Sequence, residues 1–461
     1  MRCPLLRKGR PDTRQTANEY AANFRPRGTD FFRSSLAAQL EDEELAPADL
    51  TAFYHGHLKA CRYLKLFIQK LVYEEDRGLA EIELINVTKK YGSKTAVDGV
   101  SLTVKDNEFF VLFGPAGAGK TSLLKVIAGI EFPQEGLVKI DGKIVNHVEP
   151  MNRNVSMVFE NYALYPHLSV YDNIASPMRS RLYKQSEDFI RSEVDRVTVM
   201  MRINHLLERK PSQLSNGQRQ RVAIGRGLVR KPNVFLMDEP LAHLDAKLRH
   251  FMRRELKEMQ SNFNTTTIYV THDYMEAMSL ADRIAVVHEG RIVQIGSAVE
   301  MYYLPRNEFV ARLFGEPEIN IFSGAFKLSG NQGLVAAFEQ DSVLEVTPDV
   351  IDRIASLDGE QIDVGIRGSD IAFRFEKQDS TWIRASVYAN EPIGNKVIMT
   401  VLSGENKLEV VAPNDTRASI DQEVYLKFNM ANALYFDHSS KELITRAGRQ
   451  KYEAKSLNGG Q

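Results

Sequence analysis

The stretch FFVLFGPAGAGKTSLLKVIAG, residues 109–129, decides the fold. Five apolar residues, Phe109–Phe113, run into a glycine-rich loop, after which Leu123, Leu124, Ile127 and Ala128 recur at helical spacing. Strand, glycine loop and helix in that order are what a phosphate-binding loop requires. Its glycines allow backbone angles closed to other residues, so that successive N–H groups turn toward one anion at a helix start. Gly114, Pro115, Ala116, Gly117, Ala118, Gly119, Lys120, Thr121 and Ser122 therefore form the candidate cradle for ATP. In this reading Lys120 reaches the β- and γ-phosphates and the Thr121 hydroxyl ligates Mg²⁺.

Outward from the loop, apolar strand-like runs alternate with helical periodicity from about 80 to 315: Val155–Phe159, Val234–Met237, Thr267–Val270 and Ile284–Val287. That alternation indicates an α/β domain with a largely parallel core sheet, preceded by an edge strand at Glu81–Val87. Val234–Met237 ends in Asp238 and Glu239, which places two carboxylates at the C-terminal edge of the sheet, where ligands of open α/β sheets bind. Asp238 is the expected Mg²⁺ partner and Glu239 the expected general base for an attacking water. After Phe314 the pattern becomes short strands separated by turn residues (Ile362–Ile366, Arg384–Tyr388, Lys396–Val401, Leu408–Val411, Glu423–Phe428), the mark of a small OB-like β-barrel.

With 461 residues the chain exceeds a single core. The expected plan is an N-terminal extension (1–78), the nucleotide-binding domain with a helical subdomain (79–315), the β module (316–447) and a polar tail (448–461). Leu58, Cys61, Leu64, Ile68 and Leu71 suggest a basic amphipathic helix within the extension. Lysine plus arginine (59) nearly balances aspartate plus glutamate (60), so nothing signals a nucleic-acid partner. Cys3 and Cys61 fit neither a disulfide framework nor a zinc site, which suits a reducing cytoplasm. No apolar run approaches the roughly 18 residues of a membrane span, so work at a membrane calls for partners there.

The two motifs together resemble the ATPase subunits of ABC importers, in particular the maltose-transporter subfamily with its C-terminal regulatory extension; the likeness runs from about Ile82 to Arg446. It implies further site residues. Tyr91 in KKYGSKTAVDGVSL matches the aromatic that stacks on adenine. LSNGQRQRVAIGRGL, residues 214–228, matches the signature segment, whose Ser215, Gly217 and Gln218 would address the γ-phosphate bound to a second ATPase subunit. Asp245 in AHLDAKLR matches the loop that crosses between subunits, and His272 matches the switch histidine at the γ-phosphate. LSGNQ at Leu328–Gln332 also looks like the signature but lacks the helix that should follow it. The resemblance further implies two transmembrane permease subunits, an extracytoplasmic solute-binding protein, and a peripheral place on the cytoplasmic face of the inner membrane.

Two positions depart from the family pattern. Glu160, where the family has glutamine, replaces a neutral amide beside the metal by an acceptor-only carboxylate. Asn216 replaces the first signature glycine and is expected to tolerate left-handed angles. The cargo implied is a carbohydrate, polyol or glycerol phosphate. The alternatives are a polyamine importer, which GEPEINIF also resembles, and a weakly or non-hydrolysing partner in an unequal ATPase pair, so homodimer and heterodimer both stay open.

Overall fold

The computed structural model describes residues 80–452 apart from 182, 243, 264, 331 and 339–342. The expected amphipathic helix at 58–71 lies outside the described residues.

An antiparallel sheet comes first, built from β1 (Ile82–Tyr91), β2 (Lys94–Val104), β4 (Glu135–Ile140) and β5 (Lys143–Ile144) in the order β2-β1-β4-β5. The edge strand expected at Glu81–Val87 is thus an interior one. Ile82 pairs with both Val104 and Ile140. Its alternation reflects one buried face, carrying Ile82 and Leu84, rather than an open edge.

The central sheet takes β3 (Phe109–Phe113), β6 (Val155–Val158), β7 (Val234–Asp238), β8 (Thr266–Thr271), β9 (Arg283–His288) and β10 (Arg291–Gly296) in the order β10-β9-β3-β8-β7-β6. Its pairings are parallel except β9 with β10. Every residue of β3, β7 and β8 is buried, which is why β3 and Val234–Met237 of β7 read as unbroken apolar runs, while β8 also buries Thr266, Thr267 and Thr271. Period-two alternation then divides β3 between two cores. Phe110 and Leu112 face the antiparallel sheet and α1 (Lys120–Ala128). Phe109, Val111 and Phe113 face a helical layer of α2 (Val170–Ala175), α3 (Glu187–Met200) and α4 (Asn216–Leu228).

Helices α5 (Ala246–Phe263) and α6 (Tyr274–Leu280) flank β8, and α7 (Ala298–Tyr303) and α8 (Glu308–Leu313) lead out of the α/β part. The β module that follows contains all five strands the sequence suggested, within two antiparallel sheets that share one core of Phe322, Val364, Met399 and Leu426. Strands over 320–346 and 434–446 and the helix α9 (Pro348–Ile354) were not anticipated.

Two arginines of the module grip α7. Arg367 lies 3.6 Å over the Tyr302 ring and donates to the carbonyls of Tyr302 and Phe314. Arg446 donates to Tyr303 O and lies 3.9 Å over Tyr452, which itself stacks on Tyr303. Tyr452 is buried, whereas Gly448, Gln450 and Lys451 in the same stretch are exposed.

Candidate functional site

β3 delivers the phosphate loop to the C-terminal edge of the central sheet. Gly114 has φ 154° and Gly119 φ 106°. A side chain would be strained at both angles and would also bring Cβ within 2.2 Å of the Val287 or Ala96 carbonyl. Ala116 and Gly117 are exposed at the mouth, Pro115 and Ser122 half-buried, and Ala118 buried, with its carbonyl accepting from Gly290 N at 2.9 Å. Lys120 begins α1, buried to 4% exposure. Its ammonium donates to Gly114 O at 2.8 Å and Pro115 O at 3.0 Å and lies 3.7 Å from Glu239. Burial lowers its pKa, while Glu239 and Asp238 oppose that shift. The loop carbonyls and Glu239 thus hold the cation where a triphosphate would take their place.

Parallel pairing of β7 with β8 brings Asp238, Glu239 and His272 to the same edge. Thr121 Oγ1 donates to Asp238 Oδ1 at 2.9 Å. Asp238 is buried, and desolvation raises its pKa; the Thr121 hydrogen bond lowers it, and the charges of Glu239 and Glu160 raise it further. A hydroxyl and a carboxylate with few other protein oxygens suit Mg²⁺, which keeps several waters and takes its remaining ligands from phosphates. Glu160 stands near enough for its charge to act on Asp238.

Glu239 adopts φ 42°, a left-handed angle uncommon outside glycine, with its amide donating to Val270 O at 3.1 Å. Its carboxylate is 2.8 Å from His272 Nδ1. One carboxylate therefore touches both the loop lysine and the histidine.

The remaining expected residues lie apart. Ser215 caps α4, accepting from Gln218 N at 3.3 Å, while the Gln218 side chain accepts from Ser215 N at 3.0 Å. A cleft of 220 Å³ beside this helix start is lined by Arg202, His205, Ser215, Gln218, Arg221 and Leu248. Gly217 backs onto Leu248, with 3.2 Å left for a Cβ. Asn216 is the first residue of the helix and is not among the residues with positive φ, so its tolerance of left-handed angles is not called on. Asp245 caps α5 by accepting from Leu248 N at 2.9 Å. Tyr91 ends β1, 41% exposed, with its ring 5.0 Å from Lys89 Nζ. Among the described residues, no hydrogen bond joins Tyr91, Ser215, Gly217, Gln218 or Asp245 to the phosphate loop or to Asp238, Glu239 and His272. Leu328 and Ser329 end one hairpin strand and Gln332 opens the next, so the second signature-like string begins no helix.

Other contacts escaped the sequence. Tyr162 and Ala163, just after Glu160, both have positive φ, and Arg226 of α4 holds their carbonyls at 3.0 and 2.7 Å. No local signal marks that clamp, whose partners are more than sixty residues apart.

A family model described as ABC transporter matches residues 97–242. The chain is also 41% identical over 378 residues to the trehalose/maltose import ATP-binding protein MalK of Thermococcus litoralis, covering 79% of this chain and 100% of that protein. The chain belongs to the ABC transporter ATP-binding proteins. This ABC-type ATPase is likewise 39% identical over 377 residues to the uncharacterized ABC transporter ATP-binding protein YurJ of Bacillus subtilis, with 79% and 100% covered. To the sn-glycerol-3-phosphate import ATP-binding protein UgpC of Psychromonas ingrahamii it is 40% identical over 366 residues, with 79% and 93% covered. The stretch matched by the ABC family contains the phosphate loop, the signature helix, Asp238 and Glu239, whereas Tyr91, Asp245 and His272 lie outside it. No helix among the described residues is long and apolar enough to cross a membrane.

Proposed function

We propose that this ABC ATPase energises the import of a carbohydrate, polyol or glycerol phosphate from the cytoplasmic face of the membrane. The observation that carries the catalytic part is the convergence on Glu239: 2.8 Å from His272, 3.7 Å from Lys120, and adjacent in sequence to the Asp238 that holds Thr121. Lys120 and the amides of Gly114–Ser122 bind the phosphates. Thr121 and Asp238 would hold Mg²⁺, with Glu160 beside them, and the ion would supply positive charge to the phosphate oxygens. Glu239 orients a water and takes its proton as the water oxygen bonds to the γ-phosphorus and the bond to the ADP oxygen breaks. His272 fixes that carboxylate and reaches toward the γ-phosphate.

Tyr91 would stack on adenine. Ser215, Gly217 and Gln218 would close on the γ-phosphate held by a second ATPase subunit, with Asp245 on the crossing loop. Two permease subunits and a solute-binding protein complete the proposed transporter, in which residues 79–315 form the motor domain and 316–447 a regulatory module. The cargo class rests on the names of the relatives, two of which are import proteins for trehalose/maltose and sn-glycerol-3-phosphate.

Phosphate release from the purified chain, compared with Glu239→Gln, tests the catalytic reading. The variant should bind ATP and release phosphate far more slowly. Equal rates in the two proteins would remove Glu239 as the base.

A further inference from the structure

The loop before α5 and the turn after β8 approach each other at one side chain, Arg249, in the first turn of α5. Its Nη2 lies 3.2 Å from Leu244 O and 3.5 Å from Ala242 O, the carbonyls of the loop leading into Asp245. Its Nη1 lies 3.4 Å from Oδ2 of Asp273, the residue directly after His272. A planar guanidinium can serve acceptors on two sides at fixed angles, which an ammonium cannot do. Arg249 Nε is buried without a hydrogen-bond partner, so the group is spent on these two segments.

The Asp273 side of this contact is stiff. Its carboxylate caps α6, accepting from Met275 N at 2.8 Å and Glu276 N at 3.2 Å, and its own amide donates to Thr271 Oγ1 at 3.0 Å. Beneath the turn, the buried Glu276 accepts from Tyr269 at 2.9 Å and from Thr271 at 2.7 Å. With residues 271 to 276 fastened from both sides, a displacement applied at Asp273 moves the turn as a unit, and His272 with it. Arg253 touches the same carboxylate at 3.8 Å but makes no hydrogen bond to the loop among the described residues.

We propose that Arg249 is a positioning residue that ties the loop leading into Asp245 to the switch histidine, so that docking of a second ATPase subunit on that loop keeps His272 at its contact with Glu239. The tie rests on the proposed roles of Asp245 and His272. It makes hydrolysis conditional on the dimer contact without Arg249 touching the nucleotide.

Amide hydrogen exchange on the full-length protein, combined with steady-state kinetics, tests the tie. Arg249→Ala should raise exchange in 241–245 and in 272–276 together and lower kcat about tenfold, with KM for ATP held within about twofold. Arg253→Ala should raise exchange only in 272–276. Arg249→Lys, which keeps the charge facing Asp273, should raise exchange in 241–245 alone and still lose kcat, because one ammonium cannot hold both sides. The proposal is overturned if Arg249→Ala loosens only one segment, or keeps the wild-type kcat. Should wild type and Glu239→Gln release phosphate equally, the catalytic reading fails instead, and the exchange pattern still decides whether the tie exists.

Discussion

The phosphate-loop end and the signature end of the ATPase domain are built on opposite plans. At the first, two charged groups are buried and the polar groups lean on one another: Lys120 on carbonyls and the half-buried Glu239, Asp238 on Thr121, Glu239 on the exposed His272. Its backbone takes positive φ at Gly114 and Gly119, which glycine permits, and is strained at Glu239. At the second, Ser215 and Gln218 satisfy each other in a relaxed capping box beside an open cleft. Strain and buried charge persist only where the surroundings hold them, which marks a site poised for a ligand within its own chain. A helix start that is already satisfied gains from a phosphate only when another surface carries one to it. The contrast therefore fits a motor in which each chain brings half of two composite sites.

The largest expected effect separating the ends is at Glu239. Glu239→Gln should slow turnover by about 10²–10⁴, the usual worth of a positioned base. Equilibrium binding of a fluorescent ATP analogue should be retained, since the amide keeps the size of the side chain. Loss of binding together with turnover would mean that the carboxylate holds Lys120 in place more than it serves a water.

Next comes the dependence on pH. The proposed Mg²⁺ site needs Asp238 as carboxylate, and burial favours its protonated form, so protons should compete with the ion at higher pH than they would at an exposed aspartate. As pH falls through that raised pKa, Mg²⁺-dependent ATP affinity should drop by up to about tenfold per pH unit, and as pH rises it should level off. Titration of binding between pH 5 and 8 reads this directly. Asp238→Asn should flatten the curve; a slope that survives would assign the titration to another group.

The two ends also differed in how legible they were. The phosphate loop is local: strand, glycines, lysine and threonine lie within residues 109–121, and burial on both faces left β3 and Val234–Met237 of β7 as plain apolar runs. Asp238 and Glu239 were readable because a parallel strand delivers its last residues to the ligand edge. Pairing of distant segments was not readable. Nothing in Glu81–Val87 tells an interior strand with one dry face from an edge strand. That Asn216, in opening the helix, takes no left-handed angle was not readable either. Arg226 and Arg249 act on carbonyls, which carry no side-chain signature, so neither could be singled out from the chain alone.

A smaller effect tests the independence of the ends. Ser215→Ala removes a helix cap and should cost about 1 kcal/mol, seen as a melting temperature lower by a few degrees. ATP affinity of the monomeric chain should not change, because Ser215 makes no hydrogen bond to the phosphate loop. A fall in monomer affinity would join what the structure keeps apart.

The smallest effect is at Glu160, where the two ends come nearest to sharing a segment. Its charge acts on Asp238, and the turn that follows it is clamped by Arg226 from the signature helix. Glu160→Gln removes one negative charge from the metal side, so the pKa of Asp238 should fall and the pH profile should move toward acid. A carboxylate repels its neighbour but also attracts the cation, so the two changes oppose each other in Mg²⁺ affinity. The net change should be only a few-fold, about 1 kcal/mol for partly solvated charges. Because the Arg226 clamp grips backbone carbonyls, the substitution should leave amide exchange of residues 161–165 unaltered. If exchange there rises, Glu160 shapes the loop as well as the metal side, and the division between a charged, strained end and a relaxed, self-satisfied one would have to be redrawn through this segment.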